Sequence, residues 1–138
     1  MTRWGWLVAL TLWPTASQAG PADYRFEAVA PVVERGVGVP IKIQVWSRAG
    51  AVLVGGVDMG EARVDRSPEG QLGGALPAFF TPSLEYGTYN FRADLPTDGV
   101  WALKFIARIP GEAQPITGSV TFKVVGRIVA NKPPGRRP

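Results

Sequence analysis

Between Gly87 and Val125 three successive runs each carry an apolar face, the outer two by alternation and the middle one mostly apolar. In the first, Tyr89, Phe91, Ala93 and Leu95 fall on one face, with Asn90, Arg92 and Asp94 between them. Successive side chains of a strand point to opposite faces, so a period of two marks a half-buried strand. Pro96-Thr97-Asp98-Gly99 ends the run as a turn, because proline presets φ and glycine takes a positive φ freely. Val100–Ile109 follows, with Trp101, Leu103, Phe105 and Ala107 as the core-facing row. Pro110-Gly111-Glu112 reverses the chain, and Ile116–Val125 carries Val120, Phe122 and Val124 on one face. Three consecutive strands are predicted, with Trp101 central and facing a second sheet.

The upstream pattern is less regular. Tyr24–Ala28 alternates and reads as the first strand; Pro31 ends it, and Glu34-Arg35-Gly36 reads as a turn. Val39–Trp46 is predicted as the second strand, with β-branched Ile41, Ile43 and Val45 inward. Trp46 then points away from the core, to cover a sheet edge or pack under a loop. Ala51–Asp58 is predicted as a third strand, interrupted by Gly55-Gly56. From Met59 to Ser83 the alternation fails among prolines and glycines. A short strand over Glu61–Asp65 is expected there and loop elsewhere, with Leu76, Phe79 and Phe80 packing back. Six or seven short strands with regular turn signals and no mature helix predict an all-β sandwich.

The two ends read differently from the middle. Arg3 precedes Trp4–Trp13, an uncharged and mostly apolar run, followed by Pro14 and by Ser17-Gln18-Ala19. That is the layout of an export signal cleaved after Ala19; an uncleaved interfacial anchor is the alternative. The run is far shorter than the ~20 residues that span a bilayer. The expected organisation is a signal peptide at 1–19, one domain at 20–125 and a basic disordered tail at 126–138. The net charge of +4 misleads. The domain holds ten Lys/Arg against eleven Asp/Glu, while Arg127, Lys132, Arg136 and Arg137 crowd the tail. A basic nucleic-acid face is therefore not supported. The tail could gain ~1 kcal/mol per charge at an anionic surface.

The chain has no histidine and no cysteine. Ser-His-Asp and Cys-His catalytic units are excluded, as are His/Cys zinc and haem sites, and no disulfide can staple the exported domain. Carboxylates remain: Asp58, Glu61 and Asp65 in one group, Asp94 and Asp98 in another. Neither group has a recognised metal-ligand spacing. Asp and Glu at strand ends are commonly solvated turn residues, so no catalytic residue is assigned and no enzyme is expected. Met59 is the only methionine after the signal. Its thioether suits Cu(I), although one methionine alone is not a site.

Asp58-Met59-Gly60, Glu85–Leu95 (E-Y-G-T-Y-N-F-R-A-D-L) and Asp98–Glu112 (D-G-V-W-A-L-K-F-I-A-R-I-P-G-E) together resemble the YtkA-like/FixH-like periplasmic domains. A subgroup of these carries the label auxin-binding protein. The hallmarks are a G-x-Y-x-F strand, a tight turn with glycine before tryptophan, and a W-x-L strand. The resemblance implies an immunoglobulin-like antiparallel β-sandwich of about seven strands, preceded by a signal-peptide helix. It also implies a periplasmic or secreted accessory protein with an envelope protein as partner, in the company of copper efflux or metalloprotein assembly. In such relatives further methionines follow the D-M pair; in this chain Gly60–Leu76 has none, and only Met59 carries over as a candidate metal ligand. The expected function is a non-enzymatic accessory or binding module. The alternative is an envelope assembly or adhesion module that pairs through a sheet edge or through the 59–83 segment.

Overall fold

The computed structural model describes residues 23–126, so the expected signal segment and all but the first residue of the basic tail lie outside the described residues. Nine strands form: β1 (Tyr24–Ala28), β2 (Val32–Glu34), β3 (Gly36–Ser47), β4 (Val52–Leu53), β5 (Asp58–Asp65), β6 (Leu76–Thr81), β7 (Thr88–Leu95), β8 (Gly99–Arg108) and β9 (Ile116–Val125). They make one curled sheet in the order β1-β3-β7-β6-β5-β8-β9-β2, with β4 added beside β3. This is an all-β, immunoglobulin-like arrangement. It differs from the expected seven-stranded antiparallel sandwich in two ways. There are nine strands, and β2 runs parallel to β9.

The two halves of the curl are joined by β6. Leu76 and Pro77 pair with β5, and Ala78–Thr81 pair with β7. One strand therefore serves both layers. At the other end of the sheet order, the chain passes from one layer to the other between β1 and β2. The Pro31 carbonyl accepts from the Lys123 N–H at 2.8 Å, which seats β2 on β9. The turn expected at Glu34-Arg35-Gly36 is the short link from β2 into β3.

Two bulges set the register. Between Gly36 and Val39 the β3–β7 pairing slips. Gly38 sits at φ +61°; its N–H donates to Asp94 Oδ1 at 2.8 Å and its carbonyl accepts from Arg92 Nη1 at 2.9 Å. Two β7 side chains thus hold the backbone of the bulge. Pro40, two residues on, removes no ladder bond. Val29 N–H donates to the Lys42 carbonyl and Arg48 N–H to the Asp23 carbonyl, so the even-numbered residues of β3 face β1. At Pro40 β1 has already ended, and the missing donor lies on an open edge. The second bulge lies between Gly60 and Arg63 in β5, with Glu61 at φ +48°. Met59 and Val64 are both buried although they are five positions apart, because the bulge reverses the in–out parity.

That reversal explains why Met59–Ser83 reads as loop. β5 spans Asp58–Asp65, and β6 carries a proline beside two adjacent phenylalanines. The expected third strand over Ala51–Asp58 is also corrected. Val52–Leu53 pairs with β3, the chain then bends through Gly55-Gly56, and Asp58 already belongs to β5. The three downstream strands match their predicted faces, with β9 alternating buried and exposed from Ile116 to Val124.

The core is a file of rings. Phe26 meets Phe105 edge-on at 5.1 Å, Phe105 stacks on Phe91 at 5.9 Å, and Phe91 meets Phe80 at 5.6 Å. Phe80 then meets Tyr89 at 6.3 Å. Phe105 reaches its position because its partner in β9 is Gly118, where any Cβ would overlap the ring. Trp101 is 2% exposed and donates Nε1–H to the Thr97 carbonyl at 2.9 Å. Trp46 instead lies half-buried on the outer face of β3 under the Arg25 guanidinium, 5.4 Å from its ring centroid.

The two tryptophans should therefore differ in worth. Trp101→Ala is expected to cost roughly 3–5 kcal/mol, as large core truncations do. Trp46→Ala should cost less than half of that, since its ring lies on the outer face of β3 and outside the core cluster. Denaturant unfolding of both variants checks this; equal losses would contradict the burial assignment.

Candidate functional site at the apolar end

The carboxylates singled out in the sequence do not converge. Asp94 holds the Gly38 N–H, and Asp98 accepts from Arg35 Nη1 at 3.1 Å, so both secure the link into β3. Asp65 accepts from the Ser67 N–H at 3.0 Å and lies 3.0 Å from Lys104 Nζ. Burial alone would raise its pKa; the Ser67 and Lys104 contacts outweigh that and hold it below the usual carboxylate value. Asp58 pairs in register with Arg108, and Glu61 is exposed at the bulge. Each of these side chains has a structural task or faces solvent. Met59 lies on the inner face of β5, 6% exposed, within the apolar core. Among the described residues no group of three or more His, Cys, Asp or Glu is placed to hold a metal ion.

A different site emerges where the link between β4 and β5 meets the link between β6 and β7. A cleft of about 340 Å³ is lined there by Gly55, Gly56, Phe80, Pro82 and the run from Ser83 to Tyr89. Its floor is Tyr89. The phenol donates to the Val54 carbonyl at 2.8 Å and accepts from the Val57 N–H at 3.0 Å, fixing the β4–β5 link to β7. Burial of the ring raises its pKa.

The rim is apolar and exposed. Leu84 is fully exposed, Tyr86 is 72% exposed, and Val52 on the adjoining β4 is 59% exposed. Tyr86 is nonetheless held. Its ring lies against Gly55, where a Cβ would overlap it. Gly87, at φ +74°, follows directly and packs against Leu53, again without room for a side chain. Gly55 thus lets the Tyr86 ring approach the backbone closely, and Gly87 does the same for Leu53. Ring placement of this kind presents apolar area at low conformational cost. Glu85 reaches back to Lys42 at 3.5 Å, an exposed pair that orients the 82–87 link and contributes little stability.

Sequence reasoning missed this site. Phe80 packs inward as expected, but Phe79 is 64% exposed, and Leu84 and Tyr86 drew no notice. The available local signal was Leu84 and Tyr86 in a short link between Pro82 and Gly87.

Searches of protein-family models and of curated proteins return no match. Among solved structures, the chain is similar to the Lin-41 filamin domain at 20% identity and a TM-score of 0.44, over 78% of this chain and 98% of that one. It is also similar to the ZirS C-terminal domain at 13% identity and a TM-score of 0.42, over 91% and 79% of the two chains. The Escherichia coli adhesin FdeC matches at 16% identity and a TM-score of 0.42, over 75% of this chain but only 31% of its own. At these values the likenesses carry no functional argument, and the reading below rests on this chain's own residues.

Gly55→Ala should push the Tyr86 ring off its seat. The expected loss is about 1 kcal/mol, a fall in Tm of roughly 4–8 °C for a domain of this size, with circular dichroism unchanged. An unaltered Tm would show that Gly55 does not hold the ring.

Proposed function

We propose that this chain is an exported, non-enzymatic binding module that engages an envelope protein through its apolar end. The observation that carries the reading is Tyr86. It is an aromatic ring seated on Gly55, largely open to water, beside a fully exposed leucine and over a cleft. Exposed apolar residues scattered singly are ordinary, but Leu84 and Tyr86 line one cleft on a held scaffold, which supports an interaction surface. The missing histidine and cysteine, and carboxylates spent on turns and ion pairs, support a role without catalysis. Export is supported by the N-terminal sequence pattern. The narrower reading, service to copper efflux or metalloprotein assembly, has only the family resemblance and Met59 behind it. Because Met59 packs in the core, we leave it outside the proposal.

The test is site-specific photocrosslinking in intact cells. A benzoylphenylalanine probe at Leu84 should give a discrete adduct that a probe at exposed Arg63 does not give. Tyr86→Ser should reduce that adduct severalfold. Equal adducts from both positions, or none from Leu84, would contradict the proposal.

A further inference from the structure

A second surface lies at the other end of the domain. β3 runs from Gly36, beside Leu95, to Gln44, beside Thr88, so the link from β2 into β3 stands at the opposite pole from the 82–87 link. A groove of about 430 Å³ opens there, lined by the run from Val33 to Pro40. The end of β2 forms one wall and the start of β3 the other. Val33, Val37 and Val39 make it apolar, and Val37 is 88% exposed. Val37 directly precedes Gly38, whose backbone Asp94 and Arg92 hold, so its exposure belongs to a fixed piece of chain.

The chain itself arrives at the mouth of this groove. β9 runs parallel to β2, and the Arg35 N–H donates to the Val125 carbonyl at 2.7 Å. A Cβ at Gly126 would stand 3.5 Å from Asp98 and 3.9 Å from Arg35, and Arg35 lines the groove. The next residues are Arg127-Ile128-Val129-Ala130, an apolar triplet behind one positive charge. Those four residues reach about 13 Å when extended. Val37 lies two positions past Arg35, about 7 Å along the strand, and is within that reach. The charges are complementary. After Val125 the chain holds Arg127, Lys132, Arg136 and Arg137 and no acid. At the groove, Arg35 is engaged by Asp98 at 3.1 Å and Arg92 by the Gly38 carbonyl at 2.9 Å. Glu34 and Asp94 are exposed, and among the described residues neither forms an ion pair.

We propose that residues 127–130 fold back onto the 33–40 groove of their own chain, with Ile128 and Val129 against Val37 and Val39 and Arg127 toward Glu34. Apolar contact holds the segment, and the charges set its direction. The segment begins one residue beyond the mouth of the groove, so its effective concentration there is on the order of millimolar or higher. A second copy would have to supply the same segment from dilute solution, which favours the contact within one chain. The expected basic tail then narrows to residues 131–138, beyond the groove. This surface is separate from the apolar end and stands or falls without it.

The test uses the full chain purified after export and a cycle of two changes, Val37→Ser in the groove and Ile128→Ser/Val129→Ser in the segment. In the unaltered chain, Val37→Ser should lower Tm by about 4 °C or more, because the segment covers that side chain. In the Ile128→Ser/Val129→Ser background the same change meets a bare surface position and should lower Tm by less than about 2 °C. Methyl NOEs in the unaltered chain give a direct reading that needs no variant to fold. Ile128 and Val129 should show cross-peaks to Val37 or Val39. Equal Tm shifts in the two backgrounds, or the absence of those cross-peaks, would overturn the proposal. Cross-peaks that arise only between labelled and unlabelled chains in a mixed sample would assign the groove to a second copy and overturn it equally.

Discussion

The contact between Phe26 and Phe105 is the one on which the rest of the sandwich depends. Backbone pairing does not close the curled sheet at that seam, and the chain has no cysteine to cross-link its two layers. Phe26 projects from β1, Phe105 from β8, and the two rings meet edge-on over the backbone of Gly118. The contact is the first of a file that continues through Phe91 and Phe80 to Tyr89. Apolar burial and ring packing therefore do what a disulfide does in many exported domains of this size.

The same file reaches both ends of the domain. At one end Phe26 closes the seam between β1 and β9, which do not pair. At the other end Tyr89 fixes the β4–β5 link, and that link seats Tyr86 through Gly55. The apolar surface is thus a by-product of how the core is closed. The seam is shut by side chains, so its ladder stays open. The apolar end is built from two links that approach closely only because glycines stand at the contact points.

How much of this can be read in the chain follows from where regularity survives. β7 and β9 carry a regular alternation and β8 is mostly apolar, and their core rows, with Trp101 among them, are visible from the pattern alone. β5 is hidden because the bulge at Glu61 reverses its parity, so the buried Met59 and Val64 look out of phase. β6 is hidden by Pro77, whose place in the ladder is tolerable only because this strand passes from one layer to the other there. The parallel β2 depends on the crossover at Pro31, a long-range event with no local signature. The apolar end is less legible still. Where the Tyr86 ring lies is decided by Gly55, some thirty residues away.

A double-mutant cycle tests the central claim most directly. Phe26→Leu and Phe105→Leu, made singly and together, are compared by denaturant unfolding at constant pH and salt. If the two rings jointly close the seam, the double variant should lose about 0.5–1.5 kcal/mol less than the sum of the single losses. Strictly additive losses would mean that the rings act independently and that something else holds the open side of the sandwich together.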